Sequence, residues 1–154
     1  MNIPRTATVA IAALLVLAFL VAGLFAGAVG PALTMGFIPA RWGGADVPWA
    51  SIPAILTPLS ATLVHADVLH LGFNLLILLW CGSAVERVLG KGALLLLLGV
   101  GAYTAAVAQW LVDPGSIVPG IGAKAPITAL IAPLAPIPGT IEAGSTSHCA
   151  TAAV

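Results

Sequence analysis

The sequence predicts an all-α, polytopic membrane helix bundle. Two observations carry that expectation: 60% of the residues are hydrophobic against 6% charged, and the mean hydropathy is +1.15. A third is that the apolar residues fall into uncharged runs about as long as a bilayer is thick. A soluble domain of 154 residues cannot bury that much apolar surface, so lipid is the expected solvent. Five basic and five acidic residues cancel, and no basic stripe is left to attract phosphate backbones, which excludes nucleic acid as a partner. Cys81 and Cys149 have no spacing suited to a disulfide framework or a zinc site. Cys81 reads as a small apolar packing residue, and neither a metal nor a cofactor is expected.

The first run, Thr8 to Val29, carries no charge and has about the ~20 residues a helix needs to cross the hydrocarbon core. A secretory signal is the rival reading, with Arg5 ahead of the run and Ala26-Gly27-Ala28 as its cleavage site. The run exceeds the ~7–15 residues of a signal core, which favours a span. From Pro31 to Val64 the composition changes to five prolines, Gly43-Gly44, Trp42, Trp49, Arg41 and Asp46, the makeup of an extramembrane or interfacial loop. There the two tryptophans suit headgroup-level anchoring. A second span is expected over 68–88 and a third over 93–112, with a polar turn of Glu86, Arg87 and Lys91 between them. Asp113-Pro114-Gly115 closes the third run, because proline fixes φ and glycine permits reversal.

Beyond that turn the pattern degrades. Ile117 to Pro138 is apolar but holds prolines at 119, 126, 133, 136 and 138, and each interior proline removes a helix hydrogen bond at about 3 kcal/mol. At most a marginal fourth span is expected here. All aromatic residues lie at or before Trp110, and the tail from Gly139 is mostly Ala, Thr and Ser, so it is expected to be disordered. Arg5, Arg87 and Lys91 against Arg41 place the N-terminus in the cytoplasm, since short cytoplasmic loops collect basic residues.

Polar groups at bilayer depth are functional candidates by default, which singles out His70 and Asn74 in the second span. Their i, i+4 spacing puts both on one helix face. Hydrogen-bonding glue between helices is the other use such residues have. His65 sits five residues before His70, which rotates it well off that face and disfavours a two-histidine metal site on this helix.

The string His65-Ala66-Asp67-Val68-Leu69-His70-Leu71-Gly72-Phe73-Asn74, followed by Gly82-Ser83-Ala84-Val85-Glu86-Arg87 and Leu89-Gly90, resembles the second transmembrane helix of rhomboid intramembrane serine proteases. The resemblance covers Ile3 to Ala123 and reaches Pro119-Gly120-Ile121-Gly122-Ala123, where the family reads Gly-Ala-Ser-Gly-Ala at the start of its fourth helix. It implies a rhomboid-like membrane domain over 1–123 followed by an atypical segment, 124–154. It also implies an oxyanion-side role for His70 and Asn74, and a location in a membrane, most simply a bacterial inner membrane. Lys124 occupies the nucleophile position and Ala125 that of the next glycine. A lysine ammonium cannot form the serine acyl-enzyme. His148 lies in the tail, where the family instead carries its basic histidine on a sixth helix. A reading-frame change near Ala123 would produce such a boundary. The resemblance thus implies a family of proteases cutting transmembrane substrates and a copy that is catalytically inactive. The other readings are a non-cutting protein that binds transmembrane helices, and an unrelated small multi-pass protein. The expected partners are the lipid bilayer and transmembrane helices of other proteins.

Overall fold

The computed structural model describes residues 6–25, 29–49 and 51–122. Lys124, His148, Cys149 and the whole expected segment 124–154 lie outside the described residues. Helix α1 (Thr6–Phe25) is followed by α2 (Val29–Met35), α3 (Pro39–Trp42) and the short α4 (Thr57–Ser60) between two 3₁₀ turns. Helix α5 (Val68–Ile77) passes through a π-helical turn, Leu78–Gly82, into α6 (Ser83–Val112). The chain is all-helical among the described residues, apart from an isolated antiparallel bridge between Phe37 and Gly120.

Two helical stretches are long and apolar enough to cross a membrane: Thr6–Leu24 and Val68–Val112, the latter 45 residues. The second stretch contains both expected spans, 68–88 and 93–112, and is interrupted between them. Gly90 has φ 84° and ψ 168° inside α6, a conformation open to glycine and strained for any residue with a Cβ. The chain reverses there. Leu94 packs with Leu78, Cys81, Val85, Ala12 and Leu15, and further along Ala106 packs with Ala61 and Phe37. Residues 91–112 therefore run back past the π-helical turn and α1 to α4 and α3 of the connecting segment.

Gly82 marks the point where three segments meet. A Cβ there would lie 3.4 Å from Thr8 Cγ2, 3.2 Å from Leu78 Cδ1 and 3.6 Å from Leu94 Cδ1. The apolar surface is otherwise turned outward: Leu69, Phe73 and Trp80 are 75%, 64% and 78% exposed. Large side chains in that state fit lipid rather than water.

Glu86 is not part of a solvated turn, as its neighbours Arg87 and Lys91 suggested. It is buried because its carboxylate accepts hydrogen bonds from the Ala7 N–H at 2.9 Å, the Thr8 N–H at 2.8 Å and the Thr8 hydroxyl at 2.6 Å. The first N–H groups of a helix have no partner within it and form its positive end. Glu86 satisfies them from a distant helix and clamps α1 to α6.

The connecting segment is also ordered by long-range bonds rather than by helix propensity. Trp42 Nε1 donates to the Ala54 carbonyl and Trp49 Nε1 to the Leu33 carbonyl, at 3.0 and 2.9 Å. Both indoles therefore pin the loop to itself. Arg41 Nη2 donates to the Ile52 carbonyl, and Tyr103 on α6 donates its hydroxyl to the Ile55 carbonyl.

Replacing Glu86 by alanine should destabilise the folded chain by about 3 kcal/mol, since hydrogen bonds to a charged acceptor contribute ~1.5–3 kcal/mol each and are not additive. Thr8→Val should cost ~1 kcal/mol alone and almost nothing in the Glu86→Ala background. Denaturation in mixed micelles checks this cycle, and strictly additive losses would contradict the clamp. Gly90→Ala should cost about 1–3 kcal/mol from backbone strain alone.

Candidate functional site

Asp67 sits in extended backbone at the N-cap of α5 and accepts the His70 N–H at 2.7 Å. This cap starts the helix at Val68 and fixes where its first turn points. Asn74, one turn beyond His70, is 2% exposed. Leu71 and Leu78 on the same side join the core, so α5 buries the face that carries Asn74 while Leu69 and Phe73 point outward.

The helical spacing expected between His65 and His70 does not apply, because the cap begins the helix after His65. Val64, extended at φ −92° and ψ 126°, leads into His65, and the two imidazoles meet edge to face with centroids 5.1 Å apart. His65 is buried, and its Nδ1 lies 3.4 Å from the Leu63 carbonyl. Burial holds its pKa below the ordinary 6.5; the Leu63 carbonyl opposes that shift and the neighbouring His70 adds to it. The neutral imidazole is thus the form this position favours.

The segment facing the imidazoles is delivered by backbone pairing. The Asp113-Pro114-Gly115 turn forms as the sequence suggests, with the Ser116 N–H donating to the Asp113 carbonyl. Phe37 and Gly120 then exchange two hydrogen bonds of 2.9 and 2.7 Å, the Ala40 N–H bonds the Ser116 carbonyl, and the Gly122 N–H donates to the Ala61 carbonyl at 2.8 Å. Gly122 has φ +93°, and a Cβ on it would run into the His70 ring. Only glycine fits, for backbone and for space. Gly120 stands equally close to the Gln109 amide.

Three nitrogens around this point, His65 Nε2, His70 Nε2 and Asn74 Nδ2, are shielded from solvent and have no hydrogen-bond partner among the described residues. Asn74 Nδ2 is a donor in any state, and an unpaired buried donor costs ~1–3 kcal/mol until an acceptor reaches it; His65 Nε2, in the neutral ring whose Nδ1 faces the Leu63 carbonyl, carries the lone pair instead. An oxygen bearing developing negative charge is one such acceptor. The structure brings His70 against Gly122 and buries Asn74 one turn away. Lys124, two residues past Gly122, lies outside the described residues. One participant was missed from sequence, the His65 ring, because its partnership depends on a helix start; the approach of His70 to the segment near Gly122 was expected from their places in the motif. The positive-φ glycine was visible only as one letter of a motif.

A family model, the Rhomboid domain, matches residues 54–135, more than half of the chain. The match begins at the 3₁₀ turn before α4, takes in His65, His70, Asn74, Glu86, Gly122 and Lys124, and ends beyond Ala123. No curated protein and no solved structure matches the chain.

Because the His65 pKa is depressed in the folded chain, the unfolded chain takes up a proton first as pH falls. The stabilisation is present above about 6.5, the unfolded value, and is lost as pH drops through it toward the folded value. The thermal midpoint in detergent should fall over that range in the wild type and fall less in His65→Gln. Gly122→Ala should lower the midpoint at every pH, by about 2 kcal/mol equivalent for strain and displacement of His70.

Proposed function

The chain belongs to the rhomboid family, and from that premise we propose that it is a multi-pass membrane protein of the intramembrane serine endopeptidase lineage which keeps the donor side of the site and lacks its nucleophile. One observation carries the reading. Within the matched region, Lys124 stands where the family motif has serine, two residues from the glycine that His70 touches. A serine hydroxyl gives its proton to a base and attacks the peptide carbonyl; the scissile C–N bond breaks, the amine leaves with that proton, and the ester left on serine is hydrolysed by water. The lysine amine has no oxygen to acylate, and protonated it opposes the positive end of a helix starting there. It also adds ~2.5–3.5 kcal/mol of insertion cost at bilayer depth.

Three spans are the arrangement we favour for the described part. The 45 residues Val68–Val112 would reach ~68 Å as one helix, about twice the hydrocarbon thickness. The Gly90 reversal divides them into two crossings. Arg5, Arg87 and Lys91 then face the cytoplasm, and the segment with Arg41 lies outside. Retained donors without a nucleophile favour a chain that receives a transmembrane helix over one that cuts it. Family membership leaves the reading as an unrelated multi-pass protein without support.

The full chain should take no label from a serine-directed fluorophosphonate and should not cleave a generic transmembrane substrate. Lys124→Ser should not restore either activity, because the hydroxyl also needs a base within hydrogen-bond reach, and the family resemblance assigns that role to none of His65, His70 and His148. Labelling of the unmodified chain would overturn the inactive reading. Single cysteines introduced near Arg5 and near Trp42 should differ toward an impermeant thiol reagent in intact cells: the second labels and the first does not.

A further inference from the structure

The connecting segment holds a second polar feature, remote from the histidines. A cavity of about 350 Å³ is lined by Arg41, Asp46, Trp49, Ser51 and Ala54 among others, within the roughly 300–1,000 Å³ range of small-molecule sites. Its cation is fixed in place. Arg41 lines the cavity with its guanidinium braced through Nη2 on the Ile52 carbonyl at 2.9 Å, while Nη1, shielded from solvent, is turned into the protein. The N–H groups a guanidinium presents to such a cavity suit a phosphate oxygen. Asp46 puts the opposite charge on the same wall, which disfavours a simple anion and favours a ligand carrying both signs.

The surroundings identify the source. The wall residue Ala54 leads directly into Ile55, Leu56 and Leu59, which are 62%, 48% and 43% exposed. Apolar side chains presented outward beside a polar cavity are what a segment at headgroup level needs, with acyl chains on one side and charge on the other. The Trp49 indole, anchored on the Leu33 carbonyl, lines the cavity.

We propose that this cavity seats the headgroup of one zwitterionic aminophospholipid, its phosphate on Arg41, its primary ammonium on Asp46 and its acyl chains against Ile55, Leu56 and Leu59. The ammonium supplies N–H donors to the Asp46 carboxylate, as a lysine head would. A quaternary choline has none, and a glycerol headgroup brings no cation to meet Asp46. Selectivity among lipids is therefore the signature of the site.

The test is native mass spectrometry of the full chain after delipidation, with graded addition of phosphatidylethanolamine, phosphatidylcholine or phosphatidylglycerol of identical acyl chains. The wild type should retain one phosphatidylethanolamine about tenfold more strongly than either other lipid, a ratio equivalent to ~1.4 kcal/mol. Arg41→Gln should lose retention of all three. Because that change also removes the brace on Ile52, the deciding variant is Asp46→Asn, whose side chain is exposed. Asp46→Asn should keep phosphate-dependent retention and bring the ethanolamine-to-choline ratio close to one. Equal retention of the three lipids by the wild type, or undiminished selectivity in Asp46→Asn, would overturn the proposal. Displacement of the lipid by an equal concentration of soluble phosphoethanolamine would overturn the lipid assignment.

Discussion

A single carboxylate organises the bundle. Helix α1 is almost featureless in sequence, an apolar rod with no charge and no side-chain pattern that would fix its rotation or depth beside the other helices. Dispersion forces alone discriminate weakly among such positions when lipid tails pack as well as protein. The three hydrogen bonds from Ala7 and Thr8 to Glu86 supply what the rod lacks: a directional contact at one end, strengthened by the helix dipole. Gly82, free of a Cβ where Thr8 and Leu94 approach, lets the three segments close around it.

The candidate site inherits its geometry from that frame. With α1 held on α5 and α6, residues 91–112 pass beside the connecting segment, and Tyr103 and Ala106 touch it. The strand-like pairing of Phe37 with Gly120 then carries the chain to Gly122, and the Ala61 carbonyl fixes Gly122 against His70. These contacts join residues distant in sequence, several of them through backbone groups. The site is therefore sensitive to the fold as a whole while its own side chains stay unpaired. The frame is independent of the residue at position 124, since it is built from groups of the described residues.

The legible parts of the sequence were those set by local physics. Uncharged runs of bilayer length marked α1 and the stretch from Val68 to Val112, and Asp113-Pro114-Gly115 marked a reversal. His70 and Asn74 stood out because polarity inside lipid is expensive. What could not be read were partnerships. Glu86, followed by Arg87, looked like one more member of a solvated turn, and nothing near it in sequence names Thr8. His65 fell off the expected face because helical spacing was extended past the cap. Trp42 and Trp49 have the composition of interfacial anchors, yet their indoles are committed to carbonyls of their own loop. Gly90 and Gly122 require a left-handed or extended mirror-image backbone that no composition rule locates.

The account therefore rests on Glu86 reaching the start of α1, and amide hydrogen exchange in lipid nanodiscs measures that contact directly. First-turn amides have no partner within their own helix and normally exchange fast. The Ala7 and Thr8 amides should be protected in the wild-type chain and lose that protection in Glu86→Ala, while amides in the middle of α1 stay protected in both. Rapid exchange of Ala7 and Thr8 in the wild type would contradict the clamp and the packing derived from it.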